Sequence, residues 1–247
     1  MRLRFNLLFG GAICLIILTL GVFAPLFVHH DPILDANLMN AELPPNADFW
    51  FGTDSQGRDV FSRVLYGSRV SLTVGIVSQL INSCIGLLFG ISAGYIGGRW
   101  DEFVSGLTNV MLSIPSLIFA LAIMAILGPG LGSLLIALGL TNWSWTCRIA
   151  RSSALSLKSQ GYVQAAKTLG MGDAILAEAA LSYLGLGIRP PFPSWGSMLT
   201  DARELIAVAP WAAIFPGIAI FLTVLGLNLF GDGLRDYLDP HMRIRKA

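Results

Sequence analysis

Charge is what this sequence has least of. Only 13% of its residues are Asp, Glu, Lys or Arg, against about a quarter in a soluble globular domain. A water-facing surface of ordinary density cannot be built from so few. Histidine is also scarce, and His29, His30 and His241 all lie outside the uncharged stretches. A serine-type intramembrane hydrolase needs a base beside its nucleophile, so that chemistry is excluded. Cysteine is equally sparse: Cys14, Cys84 and Cys147 fall in apolar runs with no Cys-x-x-Cys spacing. They read as small hydrophobes rather than as a disulfide or metal framework. No basic stretch is interleaved with aromatics, and the net charge of +1 gives no footprint for nucleic acid.

What is present is apolar length. Hydrophobic residues make up 54% of the 247 positions, and mean hydropathy is +0.68. Uncharged runs cover residues 7–28, 70–98, 103–147 and 209–231, and a spanning helix needs about 20 apolar residues. The third run is too long for one helix and is broken by Gly128-Pro129-Gly130-Leu131-Gly132, a cluster that favours turns. Two helices are expected there. Arg2 and Arg4 precede the first run as in a secretory signal, but the run is long and Pro25 follows the small Ala24, which predicts an uncleaved anchor helix. Residues 174–187, from Ala174 to Gly187, form a sixth apolar segment, which at 1.5 Å per residue covers about 21 Å of a ~30 Å hydrocarbon core. The expected fold is all-α: a polytopic membrane helical bundle, with five transmembrane helices plus a short sixth, forming one domain over residues 1–247. Residues 1–69 would hold the first helix and an outer loop, and residues 70–247 the core helices with an internal loop at 148–173.

Basic residues set the orientation. With six crossings and a cytoplasmic N-terminus, eleven of the 16 Lys and Arg lie inside, the exceptions being Arg58, Arg63, Arg69, Arg189 and Arg203. If residues 174–187 do not cross, the split falls to nine against seven. Charge therefore favours a sixth crossing that length resists. Glu178 sits within that segment, where a carboxylate must line a pathway or be packed with partners; the second is the expectation.

Smaller features follow. Asp54 or Ser55 is placed to cap a short helix through Val60 to Gly67. Gly86, Gly90 and Gly94 recur every four residues and mark a face for close helix approach. Residues 152–169 have the composition of an amphipathic cytoplasmic helix. Gly161 to Thr168 has the frame of a Walker A loop, but Ala166 replaces a required glycine, which excludes nucleotide binding. Gly170-Met171-Gly172-Asp173 matches the Gly-x-Gly-Asp of intramembrane aspartyl proteases but lacks a second intramembrane carboxylate to share its proton.

Three stretches carry a family resemblance: Phe51-Gly52-Thr53-Asp54 with Gly57-Arg58-Asp59-Val60-Phe61-Ser62-Arg63, Leu181-Ser182-Tyr183-Leu184-Gly185-Leu186-Gly187, and Asn228-Leu229-Phe230-Gly231-Asp232-Gly233-Leu234-Arg235-Asp236 with Leu238-Asp239-Pro240. The chain resembles permease subunits of binding-protein-dependent ABC importers in the dipeptide, oligopeptide and nickel group. The resemblance implies a bacterial-type inner membrane, a second permease, two ATPase subunits or domains and an extracytoplasmic binding protein. It implies no cofactor bound by this chain, since ATP and Mg would be used by the partner ATPase. The cargo it implies is di- or oligopeptide, with nickel or glutathione as alternatives; the rival class is a self-sufficient channel or secondary transporter. It also assigns an ATPase-coupling loop to Gly161, Tyr162, Val163, Gln164, Ala165, Ala166, Lys167, Leu169 and Gly170, in which Gln164 stands for the usual Glu. After Asp173 the chain departs from the pattern. It jumps to Ala174-Ile175-Leu176-Ala177-Glu178, similar to the latter part of the family's fifth helix, as though 30–40 residues were deleted. An uncoupled remnant is the consequence to be weighed.

Overall fold

The computed structural model describes residues 2–28, 30–157, 170–188 and 191–238. Helices α1 (Arg2–Val22), α2 (Ala24–Phe27), α3 (Val60–Ile96), α4 (Gly98–Ser113), α5 (Ser116–Leu127), α6 (Leu131–Thr141), α7 (Trp143–Leu157), α8 (Gly170–Tyr183), α9 (Trp195–Asp201) and α10 (Trp211–Leu238) account for about three-quarters of them. The all-α bundle is therefore the architecture.

Helix α3 is the mast. Its 37 residues rise about 55 Å, more than a bilayer core, because no glycine pair or proline interrupts it before Gly97, which takes φ 74° and ends it. The separate helix expected over Val60–Gly67 does not exist, because it is the first two turns of this element. Its cap is Asp59, whose carboxylate accepts from the backbone N–H of Phe61 at 3.3 Å and Ser62 at 3.0 Å. Asp54, expected as the cap, instead accepts from the N–H of Gln56 and Arg58 and closes the preceding turn. Ser55 caps nothing in the described contacts.

Around the mast the helices pack through glycine. Gly86, Gly90 and Gly94 lie against α7. A Cβ on Gly86 would fall 2.5 Å from the Thr146 side chain, one on Gly90 would strike the Cys147 carbonyl, and one on Gly94 would fall 2.6 Å from Ala154. The predicted close face is real, and its partner is another helix of the same chain. On the far side α1 runs antiparallel to α10, with Gly10 against Phe230 and Gly226 and with Gly233 against Leu7. Arg69 ties α1 to α3 by donating to the carbonyls of Gly21 and Val22 at 2.8 and 2.7 Å, so the last turn of α1 keeps its acceptors satisfied.

The long third run is cut more often than expected. The break at Gly128 is present, with φ 80°. Pro115 makes another, where α4 and α5 meet at 90°, since proline removes a donor and keeps the preceding residue out of helix. Asn142 makes a third, although α6 and α7 continue along α3 in one direction, Gly139 facing Ile81 and Ala154 facing Gly94. Five full-length helices were expected. Among the described residues three helices, α1, α3 and α10, are long and apolar enough to cross alone, and the α4–α5 pair, bent by 90°, has the length and composition of either a broken span or a re-entrant loop.

Candidate functional site

Two ends of the mast carry the chemistry. At the end where α3 terminates, α7 is held to α4 by charge. Arg151 makes a two-pronged contact with Asp101, from Nε to Oδ1 and from Nη2 to Oδ2 at 2.6 Å, and Arg148 donates to Asn109 Oδ1 at 2.8 Å. Paired planar bonds of this kind fix orientation as well as distance. They fix the orientation of α7 against α4, and α7 leads into the segment to which the resemblance assigns the ATPase contact. Of the residues assigned to that loop, Gly161, Tyr162, Val163, Gln164, Ala165, Ala166, Lys167 and Leu169 lie outside the described residues, and Gly170 is the first residue of α8.

The two described flanks of the loop stand at different heights. Leu155 lies beside Gly94 of α3, whereas Met171 lies beside Gly75. At 1.5 Å per residue these levels are about 28 Å apart along the mast. From Gly170 onward α8 lies beside the outer half of α3, its 14 described residues rising about 21 Å. A helix restoring the inner half would need about 19 residues.

Glu178 occupies the middle of α8 and is fully buried. It accepts hydrogen bonds from Ser182 Oγ and Ser194 Oγ at 2.9 Å each and from Ser71 Oγ at 3.3 Å. Those hydroxyls come from α8, from the cap of α9 and from α3. Ser194 also accepts from the N–H of Ser197 while Ser197 Oγ accepts from Ser194, a reciprocal capping box that starts α9. The packed, partnered carboxylate expected from sequence is what the structure holds, and it joins three elements.

At the opposite end, the loop after α1 folds onto α3, α9 and α10. Trp211 Nε1 donates to the Thr53 carbonyl at 3.0 Å, and Phe51 stacks on Phe215 at 3.7 Å. Gly57 takes φ 71° in the tight turn, where a side chain would strike the Asn37 carbonyl. His30 stacks on Phe49 at 4.8 Å, and among the described residues no cluster of three metal-ligating side chains forms. Here Arg58 and Arg63, which the sequence offered only as outer-side charges and motif members, are both buried beside Asp54 and Asp201. The signal available was the spacing Asp54, Arg58, Arg63, but the fourth member lies far along the chain on α9.

A polytopic helical membrane subunit, with no built catalytic constellation among its described residues, is thus the class that fold and site define. Residues 86–174 match the family described as binding-protein-dependent transport system inner membrane component. The chain is 42% identical to the dipeptide transport system permease protein DppC of Alkalihalophilus pseudofirmus, over 91% of this chain and 82% of that one. It is 38% identical to the oligopeptide transport system permease protein OppC of Bacillus subtilis over 98% and 88%, and 36% identical to the glutathione transport system permease protein GsiD of Pectobacterium atrosepticum over 95% and 86%. The chain belongs to this family of ABC importer permeases.

The same comparisons bear on the length of the chain. The family match stops at Ala174. The DppC alignment runs over 251 positions, whereas 91% of 247 residues is about 225, so about 26 aligned positions have no counterpart in this chain. That total, summed over the whole alignment, is of the same order as the roughly 30–40 residues expected from sequence to be missing.

Proposed function

We propose that this chain is the membrane permease of an ATP-driven importer of di- or oligopeptides, and that its coupling loop is cut short at Asp173–Ala174. The observation carrying the first half is 42% identity to a dipeptide permease across most of both chains. The second half rests on Met171 of α8, which stands about 28 Å along the mast from Leu155 near the end of α7. A deficit of about 26 positions would cover the roughly 19 helical residues that this gap asks for, with about seven to spare.

In this reading the N-terminus is cytoplasmic, and the chain pairs with a second permease, two ATPase subunits and an extracytoplasmic binding protein in a bacterial inner membrane. ATP and Mg belong to the ATPase. Residues Gly161 to Gly170 contact it, with Gln164 supplying a polar group and Ala165 and Ala166 allowing close approach. ATPase closure pushes that loop, the rigid helices tilt, and the path opens alternately to each side. Arg151–Asp101 makes α7 and α4 move as one body in that tilt.

The test is reconstitution in liposomes with the partner permease, the ATPases and a dipeptide-binding protein. The chain assembles with them, and dipeptide stimulates ATP hydrolysis weakly. Inserting the corresponding 26 residues of a relative between Asp173 and Ala174 raises that stimulation by about tenfold or more, within the usual span of coupling between sites. Failure to assemble overturns the permease reading. Full stimulation without the insertion overturns the shortened loop. Transport without any ATPase would favour the self-sufficient transporter.

A further inference from the structure

Two guanidinium groups are buried side by side at the α9 end of the bundle. The side chains of Arg58 and Arg63 are only 7% and 4% exposed. Asp54 serves both through a single oxygen, at 2.8 Å from Arg58 Nε and 3.5 Å from Arg63 Nε. Asp201 Oδ2 lies 3.4 Å from the Nη2 of each. Arg63 Nη1 is buried with no hydrogen-bond partner at all. A buried donor left unmatched is costly, and more so when it carries charge.

Beside the pair is a cavity of about 140 Å³, lined by Arg58, Arg63, Ser182, Ser197, Thr200 and Asp201. Asp201 fills its place poorly. One oxygen serves two guanidiniums at long range, the side chain is 41% exposed, and burial pushes its carboxyl above the ordinary value by more than Arg63 and Arg58 draw it down. A planar carboxylate offers each guanidinium fork two oxygens, a geometry that one shared oxygen cannot supply. With Asp201 turned outward the cluster keeps two positive charges and one negative, so one anionic group neutralises it. The volume, that of about four or five waters, admits a carboxylate and the atoms next to it, not a whole peptide.

We propose that the Arg58–Arg63 pair is a receptor for the C-terminal carboxylate of a short peptide, and that Asp201 holds the same place until it is displaced. The choice of a peptide rests on the importer reading above; the carboxylate itself follows from the pocket. The peptide end enters from the α9 side, Arg63 Nη1 gains its missing acceptor, and Ser197 and Thr200 line the approach.

The full chain in lipid nanodiscs is titrated with N-acetylglycine, N-acetylglycinamide and inorganic phosphate, with binding read by equilibrium dialysis. N-acetylglycine binds, and the other two do so at least about tenfold more weakly. Asp201→Asn tightens N-acetylglycine by about tenfold because the resident competitor is gone, and Arg63→Lys weakens it by a similar factor. Equal binding of the amide overturns the proposal, and equal binding of phosphate reduces it to an unselective anion site, which also overturns it. So does an Asp201→Asn variant, altered only at a part-exposed side chain, that binds no more tightly than the parent. Dipeptide-stimulated ATP hydrolysis is scored separately: stimulation without acid binding removes the pocket alone, and acid binding without assembly removes the importer alone.

Discussion

At the scale of the residue, Glu178 and Asp201 show how the same carboxylate differs with its surroundings. Glu178 has three hydroxyl donors and no exposure. Replacing it with Ala leaves Ser71, Ser182 and Ser194 without their acceptor and lowers stability by about 1–3 kcal/mol; Glu178→Gln, which keeps an acceptor oxygen, loses less. Thermal midpoints of the two variants in detergent order them. Asp201 faces Arg63 from α3 and Arg58 and Asp54 from the loop, with burial raising its carboxyl. The folded chain therefore holds that proton more tightly than the unfolded one. The stability this contributes is full below the ordinary carboxylate range and is lost as pH rises through the raised value. The thermal midpoint of Asp201→Asn, measured against the parent from pH 3.5 to 7, gains relative to it as pH increases, and a flat difference would contradict the assignment. Glu178 was singled out from the sequence, but its partner Ser194 and the role of Asp201 were not, because both reach their sites from a loop helix whose docking no local pattern announces.

At the scale of the element, glycine spacing was the most legible signal. Gly86, Gly90 and Gly94 predicted a close face, and α7 occupies it. Gly90→Val therefore forces α3 from α7 and costs about 1–3 kcal/mol by overpacking, while the same change at Gly106, which has nothing within 4 Å of its added Cβ, is close to neutral apart from helix propensity. Chemical unfolding of both variants separates packing from propensity. The extra breaks were harder to read. Pro115 stood inside an uncharged run, and hydropathy does not register a bend. The cap of α3 was misplaced by five residues because Asp54 and Asp59 are equally good cap types. The turn that Asp54 closes with the N–H of Arg58 decides between them. Arg151 and Asp101 are 50 residues apart, so their pairing had no sequence signature. A double-mutant cycle of Arg151→Ala and Asp101→Ala gives a coupling of about 0.5–3 kcal/mol, whereas additive effects would mean that the contact ties nothing.

At the scale of the whole molecule, the mast α3 separates two regions of different character. The end bearing Gly94 carries the Arg151–Asp101 pair, and the end bearing Arg63 carries the buried arginine pair, about 45 Å away along the helix. Motion of one end reaches the other only through rigid packing, and the described turns of α8 lie along the outer half of that distance. An inserted segment after Asp173 should accordingly change coupling to ATP while leaving carboxylate binding near Arg63 within about twofold, because the arginine pair is assembled from α3, the outer loop and α9. Sequence alone determined that the chain is a helical membrane bundle, since apolar length and lack of charge leave no other solvent for it, and its motifs determined the family. Only the tertiary structure decided that Met171 stands level with Gly75, halfway along α3, and that Arg58, Arg63, Asp54 and Asp201 form one cluster. Both depend on how high one helix stands against another, and a linear pattern carries no record of relative height.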